Sequence, residues 1–159
     1  MFLKPDFNLK NIYEIDLSKL KEMGIKAMFF DLDSTIMVSK SGEYLEKTDQ
    51  WLKKVDEDFF IAVISNNKKC DYIEKVQSIS NFQIIGNANK PSTKSMKKLL
   101  KKINMKPSEV VIVGDRPLTD ILAGKRLGAK TILVDSINAH QEGIATRCVR
   151  WLERRFILN

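Results

Sequence analysis

The sequence predicts an α/β fold, a three-layer sandwich in which a mainly parallel, five-stranded sheet lies between two layers of helices. Three observations predict it. Five short apolar, β-branched or aromatic runs, at residues 25–30, 59–64, 82–86, 110–114 and 131–134, have the composition of strands buried on both faces. Segments of helical period, 44–55, 68–79, 92–103 and 118–127, lie between them. Strands and helices therefore alternate, and the right-handed crossovers that join parallel strands put helices on both faces of the sheet.

Taken in order, residues 1–13 have no clear periodicity and are expected to wrap the core. Residues 17–23 read as a short helix ended by Gly24. The first strand ends in Met28, Phe29 and Phe30 and runs directly into Asp31. Ser92 is the expected N-cap of the helix over 92–103, because its hydroxyl can accept an N–H of the first turn. On that helix Lys94, Lys97, Lys98, Lys101 and Lys102, with Lys106 beyond it, read as a solvated face. Gly128 is the expected stop of the helix over 118–127. Residues 141–158 form a last helix, basic and amphipathic, with Ile144, Cys148, Trp151, Leu152 and Phe156 on one stripe and Arg147, Arg150, Arg154 and Arg155 largely elsewhere. That stripe either covers the sheet or lies on an anionic membrane.

A chain of 159 residues is the length of one ordinary domain, and 1–159 is read as one. The longest apolar stretches, such as 27–30 and 59–64, fall far short of the roughly 20 residues a membrane span requires. With no secretory signal pattern, the expected location is cytoplasmic. Cys70 and Cys148 match no metal-ligand spacing and read as reduced thiols. His140 is the one histidine, which excludes a multi-histidine metal site, and it reads as a loop residue. A net charge of +7 favours anionic partners without choosing among phosphates, lipid surfaces and nucleic acid.

The chemistry concentrates at the expected C-terminal ends of the strands, where open α/β sheets bind their ligands. Asp31 and Asp33, in the run Asp31, Leu32, Asp33, Ser34, Thr35, place two carboxylates just past a buried strand, an arrangement that repels itself unless a cation or donors compensate. The second strand ends in Ser65, Asn66 and Asn67. The fourth ends in Gly114 and Asp115, followed by Thr119 and Asp120. Lys90, ahead of Pro91 and the helix start, can supply a fixed positive charge beside a helix N-terminus. A carboxylate pair, a hydroxyl with amides, a lysine and a second acidic pair together suit phosphoryl transfer, and oxygen-only ligands select magnesium.

In these residues, Asp31 to Thr35, Ser65, Lys90 with Pro91, and Gly114 with Asp115 through Asp120, the chain resembles the haloacid dehalogenase (HAD) superfamily, whose four motifs appear here in order. More narrowly it resembles the YqeG-type phosphatases of subfamily IIIA, relatives of phosphatidylglycerophosphate phosphatases, over nearly the whole chain. The lead-in over residues 12–24, the Ser65, Asn66, Asn67 triplet, Leu118 to Asp120 and the terminal 152–155 segment support the narrower likeness. Ser34, where Asn is common, and Arg116 with Pro117 depart from the pattern.

The resemblance implies a magnesium-dependent phosphatase with Asp31 as nucleophile and Asp33 as general acid and base. Magnesium would be held by the side chains of Asp31 and Asp115 and the backbone carbonyl of Asp33, with Asp120 in support. Ser65 and Asn66 would bind the phosphoryl group, Lys90 would neutralise it, and Thr35 would buttress the loop. The intervals that house inserted cap domains are too short for one, so an uncapped, open site is expected. The implied substrate is a phosphomonoester, phosphatidylglycerophosphate at an anionic membrane surface or, alternatively, a soluble nucleotide, sugar or phosphoprotein. A nucleic-acid-binding role rests on charge alone and lacks aromatic residues interleaved with basic ones.

Overall fold

A computed structural model describes residues 3–138 and 143–158, the last three of them by their backbone alone. Its strands are β1 (Phe7–Asn8), β2 (Ala27–Phe30), β3 (Phe60–Ile64), β4 (Gln83–Ile85), β5 (Val110–Gly114) and β6 (Lys130–Leu133). They form one parallel sheet in the order β1-β6-β5-β2-β3-β4. The helices are α1 (Leu17–Glu22), α2 (Glu46–Asp56), α3 (Cys70–Ser78), α4 (Lys94–Lys102), α5 (Leu122–Leu127) and α6 (Ile144–Leu158).

The sheet has six strands where the sequence predicts five. The added strand, β1, lies in the segment expected to wrap the core. It is two residues long, too short for a period-2 pattern, and a polar residue fixes it. Asp6 accepts hydrogen bonds from the N–H (3.0 Å) and hydroxyl (2.8 Å) of Thr131, and from Lys125 (2.8 Å) and Lys130 (3.2 Å). Burial alone would raise the Asp6 carboxyl, but these donors outweigh it and hold the group down at about 2.

Alternate strand residues feed two cores. Met28, Phe30, Ile61 and Val63 pack beneath α1, α2 and α3, through Leu20, Leu52, Val55 and Val76. Ala27, Phe29, Ala62 and Ile64 pack beneath α4 and α5, through Met96, Leu99, Leu100, Ala123 and Leu127. Phe29 and Phe30 are wholly enclosed, each side chain contributing on the order of 2 kcal/mol. A Cβ on Gly124 would sit 2.4 Å from Thr131 Cγ2, so only glycine lets α5 lie this close to β6. Gly128 ends α5 with φ 83°, as expected. Ser92 is not the cap of α4: the cap position falls on Thr93, which makes no side-chain cap bond.

Between β2 and α2 the chain is a loop, 31–45, and between β3 and β4 the only helix is α3, so no cap domain is inserted there. No helix among the described residues is long and apolar enough to cross a membrane.

Helix α6 does not cover the sheet with its apolar stripe, the first of the two placements expected for that stripe, and turns it outward. Its polar side faces the sheet: Arg150 and Glu153 are buried, while Ile144 is 80% and Trp151 57% exposed, with Val149 and Leu152 also outward. The surface it covers is the polar C-terminal end of the sheet, where ion pairs and not apolar contacts hold it. Arg154 pairs with Asp135 and donates to the Val134 carbonyl at 2.6 Å, and Arg116 pairs with Glu153 at 3.0 Å. Arg150 and Arg154 therefore do not face solvent, as a membrane-facing basic side would require, and Trp151 is not buried against the sheet. The Phe156 side chain and His140 lie outside the described residues.

Candidate active site

Strand order decides which candidates meet. With β2 between β3 and β5, the residues that end these strands, Asp31, Ser65 and Asp115, become neighbours. The Asp31 N–H still donates to the Val113 carbonyl at 2.9 Å, so its backbone belongs to the ladder. Together with Asp33, Asn66, Lys90, Arg116 and Arg150, these residues line a cleft of about 560 Å³.

Lys90 lies at the floor of the cleft, 3% exposed at its side chain, and donates to Asp31 Oδ1 at 2.7 Å and to Asp120 Oδ1 at 2.6 Å. Burial by itself would lower its pKa, but the charges of Asp120 and Asp31 prevail and hold it well above the usual lysine value. The other Asp120 oxygen accepts the Arg116 N–H at 3.1 Å. Asp120 reaches this position from a single wide π turn, Pro117–Ile121, passing so close under β5 that a Cβ at Gly114 would meet its Cγ at 2.3 Å.

Asp115 is buried. Thr35 donates to its Oδ1 at 3.1 Å, and Arg150 of α6 places a guanidinium nitrogen 2.5 Å from its Oδ2. Burial pushes the Asp31 carboxyl up to about 8, with Asp120 and Asp115 adding to the rise and Lys90 opposing it. Burial and Asp120 push Asp115 to about 6 against Arg150. Three carboxylates thus face two cations, Lys90 and Arg150.

This donor set fits a divalent oxygen-liking cation. Single oxygens of Asp31, Asp115 and Asp120 lie within 4.8 Å of one another, and the Arg150 guanidinium is the positive charge now facing Asp115 Oδ2. Each of the three already holds protein partners: Asp120 meets Lys90 and the Arg116 N–H, Asp115 meets Thr35 and Arg150, and Asp31 meets Lys90.

Asp33 stands apart from that cluster: its Oδ1 accepts from the Tyr72 hydroxyl at 2.7 Å and from the Lys40 N–H at 3.0 Å. Burial, then the bond to Asp33, raises Tyr72 well above the usual tyrosine value, so its hydroxyl stays a donor. Ser65 is buried, and its hydroxyl oxygen accepts the Asn67 N–H at 3.1 Å. The Asn66 carboxamide brackets the Lys90 backbone, accepting its N–H at 2.7 Å and donating to its carbonyl at 3.0 Å. Asn66 thereby fixes the lysine. Ser34, at the position where the resembled family favours Asn, has φ 71°, a left-handed backbone that Asn tolerates better than Ser.

Sequence reasoning missed Tyr72, Arg116, Arg150 and Glu153. The excess of aspartates over Lys90 was the signal for a further cation, but no spacing pointed to α6 as its source.

A model of the HAD-hydrolase-like family matches residues 87–147, which sets this architecture among HAD-like hydrolases. The chain is 32% identical over 160 residues to probable phosphatase YqeG of Bacillus subtilis (strain 168), spanning 98% of this chain and 90% of that protein. It is 27% identical over 161 residues to phosphatidylglycerophosphate phosphatase 1, chloroplastic/mitochondrial, of Arabidopsis thaliana, spanning 96% of this chain and 46% of that one. Among solved structures, a HAD phosphatase from Thermococcus onnurineus shares the fold, with a TM-score of 0.58 at 14% identity over 76% of this chain and 90% of that one. With these likenesses and this site, the chain belongs to the HAD superfamily, in its YqeG-type phosphatase branch.

Proposed function

We propose that this phosphatase is a magnesium-dependent phosphomonoesterase working through an aspartyl-phosphate on Asp31. The observation that carries the reading is the buried contact of Asp31 with Lys90, 2.7 Å apart at the floor of a polar cleft that Asp33 also lines. An oxygen of Asp31 attacks phosphorus. Lys90 orients that carboxylate and offsets the charge of the phosphoryl oxygens, which the Ser65 hydroxyl and the Asn66 N–H also bind. Asp33 gives a proton to the departing ester oxygen, then takes one from the water that attacks the phosphoryl-aspartate. The Asp31 and Asp115 carboxylates and the Asp33 carbonyl would hold magnesium, which would supply Lewis-acid neutralisation of the phosphoryl charge.

Phosphatidylglycerophosphate, met at the cytoplasmic side of an anionic membrane, is the substrate favoured by the likeness to the Arabidopsis enzyme. The outward face of α6 supports it: Ile144, Trp151 and Leu152 are exposed beside Arg147 and Arg155, a set suited to an anionic bilayer surface. Arg150 lines both the catalytic cleft and the groove beside that face, so a surface docked there adjoins the cleft. Cys70 and Cys148 are exposed and unpaired, which suits a reducing compartment.

The alternative, a soluble phosphate ester, is favoured by the cleft wall, in which Val38 is the one apolar side chain among the described lining residues. Phosphate release from phosphatidylglycerophosphate in vesicles and from soluble nucleotide, sugar and phosphoprotein substrates tests both readings, with and without chelator. The account expects magnesium-dependent release with the lipid preferred. Preference for a soluble ester would move the substrate to the alternative, and release unaffected by chelation would sink the metal assignment.

A further inference from the structure

We propose that Tyr72 is the positioning residue for Asp33, a role that rests on the acid and base assignment above. Tyr72 lies in the first turn of α3, its ring packed at the edge of the core beneath the sheet and its hydroxyl 2.7 Å from Asp33 Oδ1. It does not line the catalytic cleft, so any effect on the reaction passes through Asp33. The Lys40 N–H reaches the same oxygen, at 3.0 Å. Two donors on Oδ1 leave Oδ2 to exchange the proton with the leaving oxygen and with water, and they fix the carboxyl plane in a loop that otherwise belongs to no strand or helix.

The loop geometry explains why a side chain from another element is needed. Asp33 follows β2 by three residues, and Ser34 and Lys40 both have positive φ, at 71° and 62°. This turn sets the Asp33 backbone through its bridge to Met37, but it does not set χ1 or χ2. The Tyr72 hydroxyl, carried on a helix that packs against the core, supplies that constraint, and its contact with Met37 Sδ at 3.6 Å ties the same helix to the turn.

Tyr72→Phe keeps the ring and removes only the hydroxyl. An alkyl phosphate with a poor leaving group depends on Asp33 as acid, whereas p-nitrophenyl phosphate, with a good one, does not. Losing a hydrogen bond to a charged group corresponds to about tenfold or more in rate, so Tyr72→Phe should slow glycerol phosphate hydrolysis by about that factor. Single-turnover p-nitrophenyl phosphate cleavage should change little. In an Asp33→Ala background the substitution should have no further effect on either substrate. Equal losses on both substrates, or a full additional loss in the Asp33→Ala background, would overturn the role of Tyr72 alone. Absence of phosphate release by the native protein from any ester would overturn the phosphatase chemistry and this role with it.

Discussion

The guanidinium of Arg150 lies 2.5 Å from the Asp115 carboxylate, tying the C-terminal helix to the acidic cluster at the end of β5. Any cation that binds Asp115 meets the positive charge of Arg150, so docking of α6 and metal binding oppose each other, and linkage makes the coupling reciprocal. Arg150→Met should raise magnesium affinity on the order of tenfold, within the usual range of such couplings. Calorimetric titration of the native and substituted proteins measures it, and Trp151 fluorescence on α6 should respond to magnesium in the native protein. Unchanged or weaker affinity in Arg150→Met would show that the arginine does not compete for the site.

The raised carboxyls of Asp31, at about 8, and Asp115, at about 6, make metal-free stability depend on pH with a definite sign. Between the ordinary carboxyl value and these raised ones, the folded state binds more protons than the unfolded state. Stability should therefore fall as pH rises from about 4 towards 8 and level off beyond it. Magnesium displaces the proton and should flatten the curve. Thermal melting of chelator-treated protein across this range checks it, with Asp31→Asn expected to melt higher than the native chain near pH 8. A metal-free melting temperature that climbs from pH 5 to 8 would contradict the burial of these charges.

The outward face of α6 makes a separate prediction. Trp151→Ser combined with Leu152→Ser should abolish most co-sedimentation with anionic vesicles, and Arg147→Ala should weaken it by roughly the 1 kcal/mol a basic residue contributes near such a surface. Turnover of a soluble ester should stay within a factor of about two, since none of these side chains lines the cleft. Binding to neutral vesicles equal to that on anionic ones, or undiminished binding by the double variant, would remove the membrane from the account.

Much of this fold was legible because its strands are continuous apolar runs, and the site because its aspartates, Ser65 and Lys90 follow them directly. What escaped has physical reasons. β1 is defined by one aspartate bonding to Thr131, Lys125 and Lys130, a tertiary relation with no local pattern. The amphipathic stripe of α6 was visible, but periodicity identifies two faces without saying which one meets the protein. Here the partner surface is a cluster of carboxylates and carbonyls, so the charged face turned inward. Tyr72 and Asp33 lie 39 positions apart in the chain, and their bond exists only because α3 crosses above the loop after β2. The helix start after Pro91 was read for a Ser92 cap, but the cap position falls one residue later, on Thr93.

The central claim is that Asp31 becomes phosphorylated. Rapid acid quenching during turnover of a phosphomonoester, followed by reductive trapping of the acyl phosphate and peptide mass spectrometry, locates the modified residue directly. The account predicts label on Asp31 in the native protein, label that persists longer when Asp33→Asn slows its hydrolysis, and none in Asp31→Asn, whose turnover should fall on the order of 10⁴-fold or more. Label on any other residue, or Asp31→Asn turning over at close to the native rate, would contradict it.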